Sequence, residues 1–405
     1  MDFIPSLFTG SSSIFGDMPV KPLLSIGLYF AFLGVCIVIC FSRALRALPY
    51  APAAWVYVPL AVASLYVTWT EIFAFLYGDY SDFKAASKHL RSDQVLDEYL
   101  LDSNSDWFNA AYVAVTENDA GWFWSSQLLN TAAVIVALYW SEGAHRWGRA
   151  SKQTAGAVYK VAGMASALAY VSLGFLGAMS TSFALFLAQR HATNRAYVFR
   201  TSPRVTATIV LLFGAYTVGV TWTPWIQTNS SLFGLNLKLL HVLLLLPIVG
   251  ATGPSLVYHP KTTPPTNPPA KSLASLSTFY LLLAVGNLVS FAVAVARLAP
   301  EWAARDDMLH TLWTAILRNN CQKSITADLL FVTIISHVFF FSFLVSAVRQ
   351  SVVEQAQAVL VGVLVLAGTP IVGVSVVLPL FLAWREQYVK RLTAGVPLSS
   401  SSGNM

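Results

Sequence analysis

Ser324–Ala347 reads SITADLLFVTIISHVFFFSFLVSA, and apart from Asp328 and His337 it is built of apolar and small hydroxylated residues. A bilayer hydrocarbon core about 30 Å thick needs about 20 predominantly apolar residues in helical form. This stretch is long enough. Comparable runs lie at 22–41, 53–77, 122–140, 155–188, 205–223, 232–251, 275–298 and 356–384, so the expected fold is an all-α, polytopic transmembrane helical bundle of about nine spans, bracketed between eight and ten. The runs at 155–188 and 356–384 exceed one perpendicular crossing, so each must tilt, project from the membrane or hide a break. Thr369-Pro370 is a natural kink point in the second.

Composition agrees. The 405 residues are 56% hydrophobic and 11% charged, with a mean hydropathy of +0.61, which excludes a water-facing globule. The net charge of +6 would suggest nucleic acid in a soluble protein. Here the basic residues sit in short loops beside apolar runs, so they read as topology and headgroup anchors, and no nucleic-acid partner is implied. The lipid bilayer is the expected partner, in the endoplasmic reticulum or another endomembrane. The sequence leaves the oligomeric state open. Cys36, Cys40 and Cys321 form no disulfide framework or zinc spacing and read as small core residues.

Two segments stand outside the spans. Residues 78–121 form the one long acidic stretch, expected to fold as short amphipathic helices over one mouth of the bundle. Residues 254–271 are proline-rich, a linker between a first helix group (1–253) and a second (272–392), followed by a disordered tail at 393–405. Under simple alternation, Arg43, Arg46, Arg146, Arg149 and Lys152 share one face, while Arg190, Arg195, Arg200 and Arg204 fall on the other. Either the 155–188 run does not cross once, or the first loops do not set orientation. Asn229-Ser230-Ser231 is a glycosylation sequon in a loop free of Lys and Arg, consistent with a lumenal face. No internal repeat, inverted or of long period, is evident.

Several chemistries lack their residues. There is no GxxxxGK[ST] phosphate loop and no HExxH, and the seven histidines are scattered. His241 and His337 lie in spans, where hydrogen-bonded structural roles are expected ahead of haem ligation. Asp306-Asp307 is followed by His310 where a third metal-chelating carboxylate would be needed, so it reads as a helix cap. No metal and no cofactor are expected.

What remains is acids among aromatic residues. A carboxylate within a span is costly enough to be a functional candidate. Glu71 lies in TWTEIFAFLYGDY with Tyr66, Trp69, Phe73 and Tyr77 at helical spacing, either an interfacial belt or one wall of an aromatic cavity. Asp328 follows Ser324 by one turn, as a helix-start residue or a buried acid. Asp106, Glu117 and Asp119 lead into the third span with Trp122, Trp124, Gln127 and Asn130, as interfacial anchors or as site residues. A neutral carboxylic acid in such surroundings can protonate an epoxide, and aromatic faces can stabilise the migrating carbocation. The candidate acids are therefore Glu71, Asp328, Asp119, Glu117 and Asp106. The candidate substrate contacts are Trp69, Tyr66, Phe73, Trp122, Trp124, Gln127 and Asn130.

The Asn320-Cys321-Gln322-Lys323-Ser324-Ile325-Thr326-Ala327-Asp328 stretch opening a late span, in a polytopic chain of this size without metal motifs, resembles the fungal membrane-bound terpene cyclases of ascofuranone- and ascochlorin-type meroterpenoid pathways. The resemblance implies cyclisation of an epoxidised farnesyl chain on an aromatic polyketide, hence a hydrophobic prenylated aromatic substrate and an isomerase of secondary metabolism. A solute transporter or channel using in-span Glu71, Asp328 and Lys160 is the competing expectation, followed by a receptor or scaffold.

Overall fold

The computed structural model describes residues 20–87, 95, 98, 99, 107–143, 156–191, 203–228, 230–250, 276–305, 307–351 and 353–394. Asp106, the Asn229 sequon residue, the 254–271 linker and all but the first two residues of the predicted tail lie outside them. The described chain is helical throughout. In order it forms α1 (Val20–Ala47), α2 (Ala54–Ala86), α3 (Trp107–Thr116), α4 (Asp119–Leu138), α5 (Gly156–Leu176), α6 (Met179–His191), α7 (Pro203–Trp222), α8 (Ser231–Gly250), α9 (Leu276–Arg305), α10 (Met308–Leu317), α11 (Asn320–Arg349), α12 (Gln355–Val372) and α13 (Val374–Ala394). A π-helical turn, Tyr139–Gly143, extends α4.

The protein is a multi-pass membrane bundle, but with fewer long apolar helices than the nine runs suggested. Seven described helices are long and apolar enough to cross: α1, α2, α7, α8, α9, α11 and α12. The run at 122–140 corresponds to α4, the hub of the bundle, which packs on α3, α7, α9, α10, α11 and α13 and buries Trp122, Gln127, Asn130 and every residue from Thr131 to Leu138. The run at 155–188 does conceal a break, at Gly177-Ala178. The run at 356–384 breaks at Gly373, three residues beyond the expected Pro370, which α12 tolerates near its end. Gly373 takes φ +81, a left-handed conformation that glycine adopts without the Cβ penalty.

The break in the first long run also settles its path. The Ser182 hydroxyl bonds the Tyr170 carbonyl, Tyr170 Oη bonds Gln189 Oε1 at 2.8 Å, and Arg190 pairs with Glu142 at the end of α4. The helices α5 and α6 are thus an antiparallel hairpin whose α6 end returns to the face where α4 ends. Arg190 consequently joins the face it had seemed to oppose.

The structure overturns the expectation that the chain holds no repeat. Helices α2–α6 and α9–α13 follow the same plan, with two ten-residue helices, α3 and α10, at matching places. Asn118 and Asn319 cap α4 and α11 identically, each side chain accepting the backbone N–H three residues on. The sequences Leu185-Phe186-Leu187-Ala188-Gln189-Arg190 and Leu380-Phe381-Leu382-Ala383-Trp384-Arg385 occupy matching positions on α6 and α13. Contacts swap accordingly: α2 and α6 pack on α11, and α9 and α13 pack on α4. Tyr280 bonds Ser141 at 2.8 Å, while its counterpart Tyr57 faces Ser342. Glu117 and Arg318, equivalent positions just before the two capping asparagines, meet each other at 2.9 Å. The two units run in the same direction, as parallel repeats do.

Candidate functional site

A helix that breaks inside a membrane bundle leaves backbone N–H and C=O groups without partners, each costing several kcal/mol in hydrocarbon. The α5–α6 turn shows how this sequence meets the demand. Tyr29 donates to the Leu176 carbonyl at 2.5 Å, and Trp69 Nε1 to the Gly177 carbonyl at 3.2 Å. On the other side of the turn, Asp328 Oδ2 accepts the Met179 N–H at 2.9 Å and Oδ1 accepts the Ser180 N–H at 2.8 Å. The Ser180 hydroxyl also donates to Oδ1.

A buried hydroxyl cluster extends this centre. Ser180 contacts Ser64, Ser64 lies 3.1 Å from Thr181 Oγ1, and Ser324 donates to the Thr68 carbonyl at 3.0 Å. Thr68 in turn bonds back to Ser64. Next to it, Tyr139 Oη meets Ser182 Oγ at 2.8 Å. Its ring lies 4.6 Å from that of Phe186, which contacts Tyr170 at 5.6 Å.

The predicted residues divide sharply in this setting. Asp328 and Trp69 converge on one hairpin turn, Trp69 at Gly177 and Asp328 two residues on. Glu117 and Asp119 are ion-paired, with Arg318 and Arg297 respectively. Glu71 is half-buried on α2. Tyr66, Phe73 and Tyr77 are half or more exposed and face out of the bundle, so the expected stripe is not a single cavity wall. Phe73 nevertheless contacts Trp69 and Phe30, at 5.3 and 6.3 Å, forming an aromatic patch that leads from the outer surface to the turn. Trp122 is buried in the core, and Trp124 bonds the Leu312 carbonyl at 3.2 Å. Gln127 and Asn130 serve the other break: Ser375 Oγ donates to Gln127 Oε1 at 2.7 Å, and Asn130 Nδ2 donates to Ser290 Oγ at 2.9 Å. Asn287 completes that set through the Ser375 carbonyl at 2.7 Å.

Other expectations fall into place as structural roles. Asp307 caps α10 through the His310 N–H. His241 and His337 each turn Nδ1 toward the carbonyl one turn back, at 2.7 and 2.8 Å. Within the acidic stretch, Tyr99 donates to Asp79 at 2.7 Å. Burial, and then the neighbouring Asp79 carboxylate, push the Tyr99 hydroxyl above its ordinary range.

Sequence reasoning missed a second centre. Arg385 Nη2 bonds Glu142 Oε1 and Glu386 Oε1, both at 2.6 Å, and Arg190 binds the other oxygen of Glu142. Both guanidinium groups lie over the Phe339 ring, at 5.2 and 5.8 Å. The signal was the pair of hexapeptides on α6 and α13, identical except for Gln189 against Trp384, which end in these two arginines. A groove of about 390 Å³ lies elsewhere, between α7 and α9. None of the candidate acids lines it.

A family model described as a protein of unknown function, DUF2834, matches residues 279–387. That is one repeat. The match runs from the first turns of α9 into α13 and includes neither the α5–α6 hairpin nor Glu142. No curated protein and no solved structure matches the chain.

Proposed function

We propose that the protein is a membrane-bound terpene cyclase of an endomembrane, which closes the epoxidised prenyl chain of a meroterpenoid by protonation, without metal. The observation that carries the proposal is the setting of Asp328. Initiation requires a carboxylic acid that can hold a proton, and a carboxylate paired with arginine is held ionised. Glu117 and Asp119 are so paired, whereas Asp328 is buried and no cation pairs with it among the described residues. Asp328 gives its proton to the oxirane oxygen as the C–O bond breaks, and the chain's double bond attacks the carbon released. The final cation loses a proton, which restores the acid. Trp69, Phe73 and Phe30 offer aromatic faces on the lipid side of the turn, and Tyr139 and Phe186 on the inner side. Microsomes containing the protein should convert a farnesylated aromatic epoxide to a product of the same mass and different retention, without added magnesium or nucleotide. Unchanged conversion by Asp328→Asn would remove Asp328 from the role.

A second reading, a solute transporter, is favoured by the parallel repeats and their two interior helix breaks, an architecture in which transporters place substrate sites. Uptake of a labelled solute by proteoliposomes, with no conversion of the epoxide, would select it.

A further inference from the structure

The groove of about 390 Å³ between α7 and α9 lies where the two helices run parallel. The Phe213 and Phe279 rings meet at 5.5 Å near one end, Thr217 stands opposite Gly286 midway, and the Arg297 guanidinium lies 4.8 Å over the Trp225 ring just past the other end. Small residues make the hollow. A Cβ on Gly214 would meet no other atom within 4 Å, and one on Gly286 would lie 3.5 Å from Thr217. The two threonines in the lining turn their hydroxyls back on their own helix, Thr217 Oγ1 donating to the Phe213 carbonyl at 3.0 Å and Thr221 Oγ1 to the Thr217 carbonyl at 2.7 Å. The groove therefore presents carbon to its occupant. Both helices are long and apolar enough to cross, so that occupant sits at hydrocarbon depth.

The length of the groove and the character of its end say which hydrocarbon. On α7 the lining runs from Val210 to Trp222, about 18 Å at 1.5 Å per residue. One leaflet is about as deep, at half of a hydrocarbon core about 30 Å thick. At the Trp222 end the surroundings become those of a headgroup region: Trp222 and Trp225 are half or more exposed, their rings are 5.8 Å apart, and Arg297 pairs with Asp119 at 2.7 Å beside them. Tryptophan and charge at a span end mark the membrane interface. The volume, near the low end of the roughly 300–1,000 Å³ of small-molecule sites, suits a single chain. A helix of that length, about 10 Å across, would need several times as much. We propose that the groove holds one acyl chain of a phospholipid, with the headgroup at the Trp222–Trp225 end, as a bound lipid that stays with the protein when the bilayer is removed. The proposal is independent of the cyclase reading, since no residue of the Asp328 turn lines the groove.

The test is native mass spectrometry of the purified full-length chain in detergent with added dioleoylphosphatidylcholine. One lipid should remain on the monomer after the others are stripped. Gly214→Phe starts a ring in open space and replaces a poor helix former with a better one; it should lower the retained fraction about tenfold and leave thermal unfolding in place. Leu360→Phe, likewise exposed but on α12, should leave retention unchanged. In the unsubstituted protein, phosphatidylcholine carrying a diazirine in its acyl chain should label 210–222 and 279–289. No retained lipid, retention that survives Gly214→Phe, an equal loss in Leu360→Phe, or labelling elsewhere would each overturn the proposal. So would a dimer that Gly214→Phe dissociates, which assigns the groove to a second copy, or displacement of the lipid by an equal concentration of farnesylbenzene, which assigns it to a prenyl chain. Should Gly214→Phe fail to fold, the labelling pattern decides.

Discussion

The two helix breaks occupy the same place in the two repeats and are stabilised by different chemistry. At the α5–α6 turn, Asp328 from α11 accepts two backbone N–H groups and a serine hydroxyl. At the α12–α13 turn, the matching residue on α4 is Gln127, which accepts the hydroxyl of Ser375, the counterpart of Ser180. A serine from the broken helix and a residue nine positions past a capping asparagine are kept in both. Only one unit has a carboxylate. The same division recurs at the inner ends, where Arg190 and Arg385 correspond but Glu142 is matched by Phe343. The two units therefore share their geometry while the carboxylates Asp328 and Glu142 each occur in one unit alone.

The largest expected effect comes from making the halves alike at that inner end. Glu142→Phe strips a carboxylate from both arginines, and breaking a buried ion pair from one side costs about 3–5 kcal/mol. A thermal unfolding series in detergent should show it as the least stable single variant. Phe343→Glu should not restore it, since Phe343 packs on Phe381 and Trp384.

Next is Asp328→Ala, which leaves the Met179 and Ser180 N–H groups buried without acceptors at about 1–3 kcal/mol each. Gln127→Ala removes one hydroxyl partner and should cost about 1 kcal/mol. Equal losses in the same unfolding assay would break the comparison between the turns.

Gly373→Ala should cost about 1–3 kcal/mol, because φ is +81 and the new Cβ would lie 2.6 Å from Gln127 Oε1. At the other turn no residue needs a left-handed conformation. There Gly177 is required by proximity instead, since a Cβ would sit 2.7 Å from the Leu173 carbonyl. Gly373→Asn should recover little, because at φ +81 and ψ 157 the backbone lies in a region essentially restricted to glycine and the close approach of Gln127 remains.

The smallest effect belongs to the pair where the repeats touch. Glu117 and Arg318 are about half exposed, so Glu117→Gln should change stability by about 0–1 kcal/mol. A larger change would mean that this contact, and not the buried helices, holds the halves together.

Apolar run length made the helical class legible, because a helix must be apolar wherever it meets lipid. It could not show which runs meet other helices instead, and so α4 looked like one more span although it is the hub. The repeat escaped notice because the matching offsets differ between helices: Asn118 and Asn319 are separated by a different interval from Arg190 and Arg385. Unequal loops have shifted the register, and lipid-facing positions tolerate nearly any apolar residue. Asp328 was legible as an in-span acid, but its partners Met179 and Ser180 were not, since backbone N–H groups carry no sequence signature. Glu142, Arg190 and Arg385 were hidden for another reason: basic residues near span ends are ordinarily topology anchors.

The dependence of the α5–α6 turn on Asp328 also bears on how the chain is made. The carboxylate that completes the turn lies 149 residues after Met179. At about 5–20 residues per second, the ribosome needs roughly 7–30 s to supply it. During that interval the Met179 and Ser180 N–H groups are without the carboxylate that accepts them in the finished fold. The first half of this protein is therefore synthesised early and finished late.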